Sequence, residues 1–226
     1  MLTTLAARRE MLTRRLVQIS LVLAIASYSM QLFVRTTGHD FLFGLARALD
    51  VDQEQSLSTW FQVLVLAFCG AALWACGSHE TSQRRKRDWR VWAVILAGMS
   101  MDEQVGLHER MRVPLQLLGS FHAFQHYSWV VFGLPVAVLA MLVAGRFVFE
   151  LPPDVRIRFL GATAVYLIGA IGLEVAAGAW MVMGLPRDAV YAILPTTEEL
   201  LEMLGMIALL DATLRVIAAK RLASDR

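Results

Sequence analysis

The sequence predicts an all-α transmembrane helical bundle of about six spans. Hydrophobic residues occupy 57% of the 226 positions and charged residues only 18%, against about 25% charged in ordinary soluble domains. Apolar runs of about 20 residues, long enough to cross a bilayer, recur along the chain, and clusters of basic residues alternate with them. We therefore expect residues 1–226 to form a single membrane-embedded helical domain.

Six stretches have the length and composition of a spanning helix. The first follows a basic segment that ends at Arg15, and its apolar run is too long for the core of a cleaved signal peptide. The third, fifth and sixth stretches carry acidic residues, whereas the others are nearly free of charge. The predicted spans are residues 15–35, 58–77, 89–110, 127–146, 158–183 and 189–217.

The charges in the loops predict the orientation of these spans. With six spans, the basic clusters before residue 15, at 84–90, at 146–158 and at 220–226 all fall on one side of the membrane. Basic loops stay on the cytoplasmic side, so we expect both termini to be cytoplasmic in a multi-pass protein of a bacterial inner (plasma) membrane. The amphipathic segment 38–57 is expected to lie on the outer surface.

Acidic residues interrupt the apolar runs in the outer half of the predicted bundle. Asp102 lies about 20 Å along the third helix from Trp89, and Glu174 lies deep in the fifth. A carboxylate inside the bilayer costs about 2.5–3.5 kcal/mol on insertion scales, so each should face a polar interior or a cation. We therefore predict Asp102 and Glu174 as catalytic groups, with one of them acting as a general base.

Further acids and imidazoles are predicted to converge on the same outward-facing site. Carboxylates and imidazoles on facing helices form the metal sites of helix bundles, and mixed nitrogen and oxygen ligands suit Zn, Fe or Mn. The predicted cofactor is therefore a divalent metal. Its candidate ligands are His108, His122, His126, Glu103, Glu198 and Glu202.

Several polar residues and glycines also have structural interpretations. Thr196 and Glu199 match a capping box at the start of the sixth helix, and Asp211 can pair with Arg215 one turn later. Glycines in membrane helices indicate close helix packing. This interpretation covers Gly161, Gly169, Gly172 and Gly178 of the fifth helix, and Gly98 and Gly205 beside the acids.

Three classes of function fit these patterns. The first is a metal-dependent hydrolase acting on a lipid at the outer leaflet. In its chemistry, the combination of Ser100, Asp102 and histidines resembles intramembrane hydrolases similar to alkaline ceramidases. Those proteins have seven spans and a late H-x-x-x-H motif, whereas His122 and His126 precede the fourth helix here.

The second class is a proton- or cation-coupled transporter, because intramembrane acids commonly mark ion paths. The third is a non-enzymatic membrane subunit whose acids form a structural polar network. The expected partners are membrane lipids, with a lipid or a small ion as substrate. The basic clusters follow membrane topology, so no nucleic-acid partner is expected.

Overall fold

The computed structural model describes residues 2–51, 53, 55–110 and 128–224, and all regular secondary structure in these ranges is helical. The helices are α1 (Leu2–Thr37), α2 (Leu45–Leu49), α3 (Leu57–Ser78), α4 (Gln83–Val105), α5 (Leu107–Arg110), α6 (Ser128–Glu150), α7 (Pro153–Leu167), α8 (Glu174–Val182) and α9 (Ile193–Ser224). A π-helical segment, Ile168–Leu173, joins α7 to α8. Each of the six predicted stretches overlaps a long helix or, for the fifth, the continuous run from α7 to α8.

The first and last helices of the described chain run side by side in opposite directions. Near the start of α1, Thr13 donates a hydrogen bond to Asp211 of α9 at 3.2 Å. Near the other end of α1, the Tyr28 hydroxyl donates to the carbonyl of Ala189, just before α9, at 3.4 Å. We call the end of the bundle that holds Thr13 and Asp211 the terminal end, and the opposite end the loop end.

Helices α3 and α9 run parallel in the centre of the bundle. The thiol of Cys69 donates to the Met206 carbonyl at 3.2 Å, and the thiol of Cys76 donates to the Thr213 carbonyl at 3.8 Å. A step of seven residues along α3 corresponds to a step of seven residues in the same direction along α9, so the two helices run parallel. The thiols are therefore structural groups that join the two central helices.

Apolar side chains from α3, α4 and α9 form the centre of the core. Because lipid is as apolar as these side chains, close van der Waals packing holds such helices together inside a membrane. The core extends along α3 and α9 between the loop end and the terminal end. Its fully buried members include Leu66, Leu73, Leu96, Met203 and Ile207.

At the terminal end, the loop between α3 and α4 is joined to the end of α9. Glu80 accepts hydrogen bonds from Lys220 and from the Trp89 indole at 2.9 Å, and Arg85 lies 3.7 Å away. Burial of Glu80 raises the pKa of its carboxyl, but the hydrogen bonds from Lys220 and Trp89 and the charges of Lys220 and Arg85 outweigh it. The net effect is a lowered pKa.

At the loop end, polar side chains of α1 hold the segment that leads into α3. Gln31 donates to Asp50 at 3.0 Å, and the backbone N–H of Val51 donates to the Ser27 hydroxyl at 2.9 Å. Phe43 stands outside this network with 96% of its surface exposed. The exposed ring agrees with the amphipathic character predicted for residues 38–57.

Four helices among the described residues are long and apolar enough to cross a membrane. They are Ala6–Thr37, Leu57–Ser78, Gly133–Glu150 and Pro153–Val182. Their outward faces are apolar; Leu142, for example, is 75% exposed. These features are compatible with a membrane protein. The acid-bearing helices α4 and α9 are not in this set, so the count of six spans stays a prediction.

Candidate functional site

The centre of the candidate site is a buried pair of side chains from α3 and α9. Gln62 is fully buried and Glu202 is 8% exposed, and the Gln62 amide nitrogen Nε2 donates to Glu202 Oε2 at 2.8 Å. This bond fixes the orientation of the amide, since a flipped amide would place its oxygen against a carboxylate. The other polar amide atom, Gln62 Oε1, is buried and has no hydrogen-bond partner among the described residues.

Tyr166 of α7 brings a third helix to this pair. Its hydroxyl hydrogen-bonds with Glu202, and the carboxylates of Glu103 and Glu199 are close enough to interact with it electrostatically. Four helices therefore contribute polar groups to one place. We call this cluster, Gln62, Glu103, Tyr166, Glu199 and Glu202, the acid chamber.

The acid chamber depends on a very close approach of the α7–α8 run to α9. A methyl group added at Gly169 would lie 2.8 Å from the carbonyl oxygen of Glu198, and one added at Gly205 would lie 2.7 Å from the backbone nitrogen of Tyr166. Real Cβ atoms do not approach other atoms so closely. The predicted packing role is thus confirmed for these two glycines.

The described residues do not support this role for Gly98 and Gly161, where an added Cβ would meet none of their atoms within 4 Å. At Gly172 a Cβ would meet only Ile168 of its own helical run, at 3.9 Å. The difference is one of position, because Gly169 faces the backbone of α9 and Gly205 of α9 faces the backbone of α7.

The π-helical segment lies at this crossing. Gly169 belongs to it, and Glu174 follows directly as the first residue of α8. A π-bulge widens the helix by one residue and is frequent at functional sites. Here it shifts the residues after it relative to the face that carries Tyr166.

The predicted capping box at the start of α9 is wrong. The Thr196 hydroxyl donates to the carbonyl of Ala192 at 2.7 Å, because the helix already begins at Ile193. Pro195 fits inside the first turn, where a backbone N–H has no helical partner. Glu199 therefore lies beyond the first turn, and capping does not explain its presence.

The predicted third helix is interrupted near its end. Gly106 adopts a left-handed conformation at φ 64°, its N–H bonds to the Asp102 carbonyl, and α4 ends at Val105. This is a common way to end a helix. His108 and Glu109 consequently belong to the separate short helix α5 instead of a continuous span to residue 110.

The two predicted catalytic residues are close in sequence to elements of the acid chamber. Asp102 precedes Glu103 in the last turn of α4, and Glu174 follows the π-helical segment. Both are half-buried and both interact with other groups. Ser100, in contrast, donates to the carbonyl of Val63 at 2.9 Å and joins α4 to α3.

Only some of the predicted metal ligands lie within the described residues. Glu103 and Glu202 both lie in the acid chamber, and Glu198 contributes its backbone at Gly169. His122 and His126 lie outside the described residues. Within those residues, no group of three His, Cys, Asp or Glu side chains could hold a metal ion.

The acid at the terminal end has a structural role. Asp211 accepts a hydrogen bond from Arg215 at 2.7 Å and from Thr13, and Arg9 lies 3.5 Å away. The predicted pair of Asp211 and Arg215 is thus confirmed. The dense apolar core separates it from the acid chamber.

Sequence reasoning missed Gln62, Tyr166 and the π-helical segment. Gln62 is a lone polar residue in the apolar run "WFQVLVLAFC", and Tyr166 lies within "TAVYLIGA", away from the span ends where interfacial aromatics gather. Both positions carried a signal, since a polar group within a spanning helix needs a partner.

No curated protein and no solved structure matches the chain significantly. The model of one protein family matches residues 15–217, which include every helix that forms the acid chamber. The chain therefore belongs to the family described as a domain of unknown function, DUF8692.

Proposed function

We propose that this chain is a multi-pass inner-membrane protein with about six spans and cytoplasmic termini, whose acid chamber binds a cation from the outer side. The antiparallel arrangement of α1 and α9 fits the alternation of loop charges. The observation that carries the proposal is the unpartnered oxygen of Gln62 beside the Glu202 carboxylate.

An enclosed acceptor without a donor costs about 1–3 kcal/mol, and a bound cation would remove that cost. The chamber offers oxygens of three kinds, from an amide, a phenol and carboxylates. Such ligands suit hard or borderline divalent metals. His108, His122 and His126 are the nitrogen ligands that we propose to complete the set for Zn, Fe or Mn.

The leading use of such a metal is hydrolysis of a lipid. The apolar core beneath the chamber, with Leu66, Met203 and Ile207 fully buried, favours a site that opens toward one side of the membrane only. A bound metal lowers the pKa of its water, and Asp102 or Glu174 would accept the proton.

A proton- or cation-coupled carrier is the second candidate. The π-helical segment favours it, because a π-bulge is a place where the backbone can change its hydrogen-bond register and so move Glu174 relative to Tyr166. A non-enzymatic subunit with a structural polar network is the third reading, and it requires neither a metal nor a substrate.

Elemental analysis of the purified full chain tests the cation site. We expect a bound divalent metal that is lost in Glu202→Gln and retained in Asp211→Asn, the matched change of an acid in the same helix outside the chamber. Metal-free wild-type protein, or equal loss in both variants, would contradict the proposal. Turnover of added lipids then supports the hydrolase, and gradient-driven uptake into liposomes supports the carrier.

A further inference from the structure

We propose that a groove along α4 at the terminal end binds an anionic phospholipid. The groove has a volume of about 360 Å³. Its lining includes the cations Lys86, Arg87 and Arg90, and the apolar side chains Val91, Val94 and Ile95. The proposal rests on the membrane placement proposed above and is independent of the acid chamber.

The order of the lining residues matches the two parts of a phospholipid. The three cations come first along α4, and the three apolar side chains follow within about 8 Å of Arg90 at 1.5 Å per residue. They share one face, since these positions recur at helical spacing. A phosphate at the cations would therefore leave an acyl chain lying along Val91 and Val94.

Arg90 is the best positioned of the three cations to bind an anion. Its guanidinium lies over the Trp74 ring, 4.7 Å from the centroid, and this contact holds the charge in place. Its Nε atom is buried and has no hydrogen-bond partner among the described residues. A phosphate in the groove would complement the charge of this guanidinium.

The basic residues outside the groove are engaged elsewhere. Arg84 forms an ion pair with Glu150, and Arg85 lies 3.7 Å from Glu80. Within the groove, the one ion-pair contact of Arg87 with a described residue is a distant one, to Asp88 at 3.8 Å. The basic residues of α4 therefore form two groups: Arg84 and Arg85 pair with acids of other segments, whereas Lys86, Arg87 and Arg90 line the groove.

A phospholipid fits this groove better than a free phosphate. Val94 is 62% exposed, and an inorganic ion would leave it and Ile95 uncovered. Anionic headgroups of the cytoplasmic leaflet attract basic residues by about 1 kcal/mol each. We therefore assign the groove to a phospholipid with a negatively charged headgroup on a diacylglycerol.

Native mass spectrometry of the detergent-solubilised full chain tests the proposal. The protein is mixed with phosphatidylglycerol or with phosphatidylcholine, and bound lipid is counted. We expect a preference for phosphatidylglycerol that falls about fivefold for each removed charge in Lys86→Gln and Arg90→Gln. The control Arg158→Gln removes an exposed charge from α7 and should leave the preference intact.

Three results would overturn this inference: an unchanged preference in the Lys86→Gln and Arg90→Gln double variant, an equal loss in Arg158→Gln, or full competition by inorganic phosphate. Lys86 lines the groove and is half-buried, and no ion pair within the described residues involves it, so the single Lys86→Gln variant remains informative if Arg90→Gln fails to fold. Lipid adducts are counted whether or not a metal is present, which separates this test from the test of the acid chamber.

Discussion

The fully buried Gln62 of α3 donates its amide N–H to the Glu202 carboxylate of α9 over 2.8 Å, and joins two parallel helices in the middle of the bundle. The bond connects residues that are 140 positions apart in the chain. Tyr166 of α7 hydrogen-bonds with the same Glu202 carboxylate. The packing of the bundle and the proposed cation site therefore share one hydrogen-bonded group.

Gln62→Leu should destabilise the protein by about 1–3 kcal/mol, because it removes a donor from a buried carboxylate. The measurement is thermal unfolding of the purified protein in detergent. Gln18→Leu, an exchange of the same residue type on the exposed side of α1, should have little effect. Equal stability of Gln62→Leu and wild type would contradict this net destabilisation.

Gly169→Ala and Gly205→Ala should each destabilise the fold by about 1–3 kcal/mol through overpacking. The added methyl groups would meet backbone atoms at 2.7–2.8 Å and force α9 away from the α7–α8 run. Gly98→Ala and Gly161→Ala, which have open space, should be neutral or stabilising by up to about 1 kcal/mol. Similar melting temperatures for all four variants would argue against the close crossing.

Acid should weaken the terminal end through Glu80. Its pKa is lowered in the folded protein, so its contribution is fully present above the unfolded pKa, about 4.3. That contribution is lost as the pH falls through the lower folded value. Glu80→Gln should remove this pH dependence and lower stability at neutral pH by about 1–3 kcal/mol.

The control for this experiment is Glu10→Gln at the same end of the bundle, where the carboxylate side chain is 69% exposed. It should leave the pH profile of thermal unfolding unchanged. A wild-type profile that matches Glu80→Gln between pH 3 and pH 7, taken as roughly the range of carboxylate titration, would contradict the assignment.

The proposed topology predicts opposite accessibility for two exposed loop positions. An impermeant thiol reagent should label Asp40→Cys in intact cells, and should label Ser82→Cys only after the membrane is permeabilised. Both positions are exposed, and native Cys69 and Cys76 are buried. Labelling of both positions in intact cells, or the reverse pattern, would contradict the cytoplasmic placement of the termini.

The helices were predictable because each follows from local composition. An apolar run of about 20 residues has few other stable structures, and the runs ended near the predicted residues. The ends themselves were less predictable, since helices continue into charged flanks. From the sequence, Gly106 could have continued α4 or ended it. Thr196 matched a capping motif, although α9 begins three residues earlier, at Ile193.

The acid chamber was predictable only in part. Glu103 and Glu202 stood out, because an acid inside an apolar run is costly. Gln62 and Tyr166 carried a weaker signal, as lone uncharged polar residues in apolar runs, and the sequence alone does not show that both meet Glu202. The roles predicted for Asp102, Glu174 and the histidines stay predictions.

The position of α9 has a consequence for biogenesis. It packs against α1, α3, α7, α8 and the π-helical segment, yet it follows all of them in the chain and leaves the ribosome after them. Until it inserts, Gln62 and Tyr166 have no carboxylate from Glu202 to bind. The polar centre of this protein is therefore assembled late, and a nascent chain arrested before residue 193 would expose these groups to lipid or to quality-control proteases.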